Sequence, residues 1–534
     1  MPPARRFRQF DRQQSSSLPI AAVLADLRAG WGEIGLCLLV LFLYAVGADY
    51  QGDALKVVNT LGPVLFSLSM AWGIANLLRR SPNNLWAPLF WYRVAMVTYF
   101  GLGALVAIYA NEDTLAMIRN FYDYYPKDLL LLNTMLVIFH LLVLLFSESI
   151  MWAMARGGKD NAKRARPLIT KSNFSLGGFG AVLLIIGTLA NLLVMLPSVL
   201  GLYNLSDIGQ FSNLAQASLL GYFMLTLWSL RNKSGWIFVV LGTAVLETVL
   251  GLLEMTKGVV LFPSVMVGLG FVFYRPSLRR MATFAVVILL MFTSLSPIIS
   301  YARNSLNSVY GGQATPAEIA EIYISYYSDD GMNSVDDSNV QGGLARLSYV
   351  NAGVFAMNQY DAGHPGDSLR YAPIIWVPRL IYPDKPYITD VAREFTYAVN
   401  GNYNSSSSPG VPAEAYWNLG WTGIVIVAGF LALTLTLWSL YTYIVIEREA
   451  WHLFFVVLLG MRVASRLDGA IVADILGPIG LAVLAHIILQ LLNRFLPERL
   501  AIFTRQGRRA KAVEGVKDRR AVLTTPASSA SSRR

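Results

Sequence analysis

Pro378-Arg379-Leu380-Ile381-Tyr382-Pro383-Asp384-Lys385-Pro386 stands inside Tyr301–Leu419, a mostly polar interval of about 120 residues that long apolar runs enclose on both sides. If those runs cross a bilayer, this interval is the one extramembrane segment large enough to fold over a substrate. Deciding the fold therefore means deciding what the flanking runs are and which side the interval faces.

The chain has 534 residues, 55% hydrophobic and 14% charged, with a mean hydropathy of +0.48. A soluble domain carries about a quarter charged residues, so the composition is that of a polytopic membrane protein. The net charge of +10 does not point to nucleic acid, because the basic residues are scattered between apolar runs, where membrane topology accounts for them. Cys37 is the only cysteine and lies in the first apolar run. No intramolecular disulfide can order the long interval, which must be held by packing on the spans.

A helix needs about 20 apolar residues to cross the hydrocarbon core. Runs of that kind fall near Trp31–Ala48, Val58–Leu78, Leu85–Ala110, Leu129–Met154, Gly178–Leu200, Leu214–Leu230, Trp236–Leu253, Val259–Tyr274 and Met281–Ile299. After the polar interval come Trp421–Ile446, His452–Ala464 and Ile471–Leu492. The expected fold is an all-α polytopic membrane protein of about 12 transmembrane helices. Its parts are a tail over 1–30, nine spans over 31–300, the large loop over 301–419, three spans over 420–492 and a basic tail over 493–534. With both termini inside, 30 of the 43 Lys and Arg fall in inside segments and 12 in outside ones, with Arg93 within a span. Cytoplasmic loops collect Lys and Arg, so this arrangement puts both termini in the cytoplasm and the large loop outside. No small-residue cleavage site follows the first run, and the N-terminus reads as a tail rather than a signal peptide.

Within the loop, residues 304–345 contain no Lys or Arg, and Thr315-Pro316-Ala317-Glu318 has the form of a capping box that starts a short helix. From Arg346 onward the loop is rich in arginine and aromatics. An outward-facing transferase needs an activated donor delivered in the membrane, and a polyprenyl diphosphate-linked sugar is one, its diphosphate serving as leaving group and handle. Arginine suits that handle because its planar fork stays charged and binds phosphate oxygens bidentately. The candidates are Arg303, Arg346, Arg370, Arg379 and Arg393, with Arg462 and Arg466 four apart on one face of a later span. A carboxylate or imidazole must take the proton of the attacking sugar hydroxyl. Glu414, in Pro412-Ala413-Glu414-Ala415-Tyr416-Trp417-Asn418 where the chain re-enters the membrane, is the preferred one, with Glu394, Asp384, Asp390 and His364 also in the loop. Each of these charged groups could equally serve only to pair with a neighbour. Inside the spans, Arg93, His140, Glu247 and Asp474 are costly in lipid and should face the bundle interior as isolated groups.

At Arg346-Leu347-Ser348, Trp376 through Pro386 and Glu414-Ala415-Tyr416-Trp417-Asn418-Leu419-Gly420-Trp421-Thr422-Gly423, the chain resembles the Wzy-type polymerases of bacterial O-antigen and capsule repeat units. Asn83–Ala110, with Arg93 and Tyr99-Phe100-Gly101, also looks like that family's early spans. The resemblance implies a GT-C-like, metal-independent and cofactor-free glycosyltransferase of the bacterial inner membrane with a large periplasmic loop. It would transfer a growing glycan from undecaprenyl diphosphate to the non-reducing end of an incoming lipid-linked repeat unit. Its partners would be the undecaprenyl diphosphate-linked oligosaccharide, membrane lipids, a chain-length regulator and a flippase. Carried over by position, Arg346 and Arg379 would sit at the diphosphate or its glycan, and Lys385 and Glu414 would line the same cavity. Glu414 and Arg379 are the expected catalytic pair, with no metal. O-antigen ligase, and a transporter or flippase for lipid-linked glycan, stand as alternatives.

Overall fold

A computed structural model describes residues 20–119, 122–156, 169–173, 175–199, 215–255, 257–275, 277–309, 315–327, 345, 347–377, 382, 388–401, 403 and 407–495. The described residues form helices and connecting turns, with no strand among them. The protein is a multi-pass helical membrane protein: nine of the described helices are long and apolar enough to cross a bilayer.

The helices before the polar interval are α1 Trp31–Gly47, α2 Gly52–Arg80, α3 Pro88–Tyr109, α4 Pro126–Arg156, α5 Leu176–Val194, α6 Ala217–Asn232, α7 Trp236–Leu253, α8 Lys257–Tyr274 and α9 Leu278–Val309. In the polar interval, after a helix at Pro316–Ser325, come α10 Val350–Asp361 and α11 Ile388–Asn400, and then α12 Val411–Glu447, α13 Phe454–Ser465 and α14 Ile471–Phe495. Every one of the twelve apolar runs thus falls on a helix. Three of those helices, α6, α8 and α13, have 16, 18 and 12 residues.

The helices pack in two groups. In the first, α1 lies on α2 and α4, α12 on α4, and α13 on α3. In the second, α6 lies between α5 and α8, and α8 carries α7 and α9. Aromatic rings join the groups: Trp86 meets Phe273 at 4.0 Å and Phe454 at 5.3 Å between centroids, and Phe223 stacks on Phe454 at 5.3 Å. Offset and edge contacts of this kind supply attraction that burial alone does not give between helices already surrounded by lipid.

The N-terminal stretch is not wholly a free tail. Helix Ile20–Leu27 buries Leu24 and Leu27 against the first group, Arg28 pairs with Glu148 at 3.3 Å, and Arg80 donates to the Arg28 carbonyl at 2.6 Å. Nor is 301–419 one continuous loop. α9 runs on to Val309, a helix Pro316–Ser325 begins at the expected Thr315–Glu318 capping box, and α10 buries Val354, Ala356 and Met357 in the main core. The acidic residues 328–344 lie outside the described residues.

Candidate functional site

The re-entry point is built on a break in α12. Gly420, at φ 58° and ψ −144°, interrupts the helix, a conformation that costs a side-chain-bearing residue far more than glycine. A Cβ there would also fall 2.6 Å from the Tyr360 ring. The separated first segment, Val411–Leu419, is buried almost throughout. Pro412 sits at its start, where no helical N–H partner is needed, and the Val411 N–H donates to the Leu467 carbonyl at 2.9 Å.

Glu414 projects from this segment with 2% exposure. Its Oε1 accepts from the Ser368 hydroxyl at 2.6 Å and its Oε2 from the Ile471 N–H at 2.8 Å. Asn418, one turn on, donates to Ser368 Oγ at 3.0 Å and accepts from the Leu369 N–H at 3.2 Å. Glu414 and Asn418 therefore clamp the turn Ser368–Tyr371 of the interval to the first, π-helical turn of α14, Ile471–Leu476. Glu414, the carboxylate that the sequence offers as proton acceptor, thus stands at the join with a hydroxyl and a backbone N–H on its two oxygens and almost no surface of its own. In this arrangement Glu414 positions other groups.

What it positions is a charged cluster. Arg466 approaches Asp474 at 3.3 Å and Asp468 at 3.7 Å, and Arg462 reaches Asp474 at 4.0 Å. The side chains of Arg462 and Arg466 remain 60% and 45% exposed. As expected from their spacing, the two arginines share a face. Asp474 is held by the Ala470 N–H at 3.1 Å, and a Cβ on Gly469 would strike its carboxylate, so glycine is required for this approach. Asp468 accepts from the Tyr349 hydroxyl at 3.2 Å, while its Oδ1 has no hydrogen bond among the described residues. Burial pushes the Asp468 carboxyl above its usual range, with Arg466 pulling the other way. Tyr349 is driven well up by burial and by Asp468, so its hydroxyl keeps the proton it donates.

Beside this cluster a narrow apolar crevice is lined by Tyr99, Phe100, Leu132, Leu136, Tyr349 and Ala413. It exists because Leu347 and Ser348 drop onto α3 at Gly103, where a Cβ would lie 2.1 Å from the Leu347 carbonyl oxygen.

Of the other expected site residues, Arg370 pairs with Asp367 at 2.6 Å and with Glu394, and also contacts Tyr371; Arg393 lies 3.2 Å from Asp390. Both stand near the cluster, because α11, the turn Ser368–Tyr371 and the first turn of α14 contact one another. Arg303 does not join it: it donates to the Met255 carbonyl at 2.7 Å, in the second helix group. Arg346, Arg379 and Lys385 lie outside the described residues.

Asp468, Tyr349 and Ser368 were not expected at a site, and Asp474 was expected only as a buried group. The available signal was local: Arg462, Arg466, Asp468 and Asp474 fall within thirteen residues at the end of an apolar run. Glu33 was also missed, and it overturns the expectation of isolated charges inside the spans. Arg93 grips it with two hydrogen bonds of 2.7 and 3.1 Å, and His140 stands 3.5 Å away.

Comparison of the chain with protein-family models, with curated proteins and with solved structures returns no match.

Proposed function

We propose that this protein polymerises lipid-linked oligosaccharide repeat units on the outer face of a bacterial inner membrane. It would move the growing glycan from undecaprenyl diphosphate to the non-reducing end of an incoming lipid-linked unit. The reading takes all twelve helices as spans of a GT-C-like core with both termini cytoplasmic. The observation that carries it is the exposed pair Arg462 and Arg466, converging on Asp474 directly where the Glu414 clamp fastens the polar interval to α14. Two guanidinium groups side by side match the two phosphates of a diphosphate, and each can grip oxygens in a fork. Tyr99 and Tyr349, whose rings meet edge-on beside the cluster, offer aromatic surface to a sugar.

In this scheme a diphosphate displaces the carboxylates as partner of the arginines and leaves with the bond between it and the glycan. The acceptor hydroxyl attacks the anomeric carbon and gives its proton to Asp468, whose raised pKa makes it a better acceptor than an ordinary aspartate. Glu414 acts as a positioning residue through Ser368 and Ile471. Arg370 and Arg393 serve at the rim; Arg346, Arg379 and Lys385 remain proposed contacts to the donor.

Purified protein in proteoliposomes, given undecaprenyl diphosphate-linked single repeat units and no lipid A acceptor, should produce a ladder of glycan lengths. Products that form only after lipid A core is added would make it a ligase. Translocation with unchanged glycan length would make it a transporter. Arg466→Lys should shorten the ladder, since a point charge does not replace the fork; a ladder of normal length would remove Arg466 from the donor site.

A further inference from the structure

The second helix group contains a polar centre that the glycan reaction does not use. Glu247 of α7 is 4% exposed and sits between α5 and α6. Its Oε1 faces the Thr188 hydroxyl at 3.0 Å and its Oε2 the Ser218 hydroxyl at 2.9 Å. The Asn191 side chain also reaches the carboxylate. The Tyr222 hydroxyl, on a residue with no exposed surface, stands among Thr243, Glu247 and Thr188, yet it completes no hydrogen bond among the described residues. Close helix contact creates this meeting: a Cβ on Gly187 would lie 2.1 Å from the Ser218 backbone nitrogen, and one on Gly221 would lie 2.5 Å from the Leu184 nitrogen. Next to Thr188 the helix loosens into a π-helical turn, Asn191–Met195, a device common at functional sites. A narrow cleft of about 20 Å³, room for a single small ion or water, then opens from Glu247 past Asn191, Leu196 and Leu250 to Glu254 and Val259 at the end of α7.

The charge balance here differs from that at Glu33, where Arg93 supplies the counter-charge. Among the described residues no Lys, Arg or His pairs with Glu247, and an ionised carboxylate in a membrane bundle is costly without one. One of the hydroxyl protons is contested. Ser218 has one hydroxyl proton and two acceptors, Glu247 Oε2 and the Ala215 carbonyl, both at 2.9 Å. Whichever it serves, a lone pair of Ser218 or of the other acceptor faces oxygen.

We propose that this pocket binds one small monovalent cation, with sodium as the fitting probe. Carboxylate and hydroxyl oxygens are hard ligands suited to such an ion. One positive charge neutralises one carboxylate, whereas a divalent ion would leave a net charge among apolar helices and would ask for six or more oxygens. The cleft provides the way in from the Glu254 end. This inference is independent of the glycan chemistry proposed above.

The test is equilibrium binding of radioactive sodium to the purified full-length protein, with choline replacing sodium at constant ionic strength. Wild-type protein should bind one equivalent saturably. Glu247→Gln, which keeps the shape and removes the charge, should abolish binding. Ser218→Ala keeps the charge and loses one ligand, and should weaken binding by about tenfold; it decides the matter if the glutamine variant fails to fold. Absence of saturable binding in the wild type would overturn the proposal and leave protonation as the means of neutralising Glu247. Binding that survives both substitutions unchanged would overturn it equally.

Discussion

Replacing Arg93 by Met should expose how the first helix group is held together. Arg93 is 2% exposed, Glu33 has no exposed side-chain surface, and their two hydrogen bonds of 2.7 and 3.1 Å tie α3 to α1. A Cβ on Gly73 would lie 2.5 Å from the Glu33 carboxyl group, so α2 closes the site as well. Arg93→Met fills the volume but leaves Glu33 buried beside His140 alone. Breaking a buried pair from one side costs about 3–5 kcal/mol. A second route gives a similar figure, because holding an ordinary glutamate protonated at pH 7 costs about 4 kcal/mol. The double variant Arg93→Met, Glu33→Leu removes both charges and should come back to within about 1 kcal/mol of wild type. The assay is unfolding of the purified protein in mixed micelles, followed by tryptophan fluorescence. The pH dependence has a definite sign. In Arg93→Met the folded state must bind a proton that the unfolded chain releases above its ordinary glutamate pKa, so stability falls as pH rises, by about 1.4 kcal/mol per unit. The penalty should therefore fall to about 1 kcal/mol near pH 5 and vanish only below the ordinary glutamate pKa. A penalty below about 1 kcal/mol at pH 7, or a double variant as unstable as the sum of the two singles, would refute the account.

Two further perturbations follow from the same geometry. Gly187→Ala drives a Cβ into the Ser218 backbone, and should destabilise the second helix group by about 1–3 kcal/mol and abolish sodium binding, as read by unfolding and by the binding assay. Asp468→Asn should remove the acid limb of the polymerisation pH profile: as a base with a raised pKa, wild-type Asp468 loses activity on acidification at a higher pH than an ordinary aspartate, and an unchanged limb in the variant would assign that proton elsewhere.

The membrane architecture was legible because lipid imposes a coarse rule: a helix that crosses must be apolar over many residues, and every such run became a helix. The same rule read Arg93 and His140 correctly as interior groups, and local hydrogen-bond chemistry read the Thr315–Glu318 cap. Partners were another matter. Glu33 lies in the first turn of α1, where a carboxylate could as well face headgroups, and only the crossing of α1 with α3 shows that it meets Arg93 sixty residues away. Gly420 stands just before the apolar run Trp421–Ile446, and its backbone conformation separates Val411–Leu419, a helical segment that by sequence reads as part of the loop, from the rest of α12. The fate of Glu414 depended on that break. Its position was visible in the sequence, but its hydrogen-bond partners are Ser368, 46 residues before it, and Ile471, 57 residues after it.

These long-range meetings divide the charged groups of the protein by how their charge is answered. Glu33 has an arginine, and the pair has no open surface, so its chemistry is structural. Glu414 has only neutral donors, a hydroxyl and a backbone N–H, and it is sealed; it fixes the turn Ser368–Tyr371 against α14. Asp468 and Asp474 have arginines that are half exposed, so those ion pairs are open to exchange with an incoming anion at modest cost, as surface pairs are. Glu247 has neutral donors and an open cleft, the one combination of the four that leaves a charge unanswered beside a route to the surface. Anion exchange at the arginines and cation entry at Glu247 therefore follow from one criterion, whether the counter-charge is built in and whether an ion can reach it.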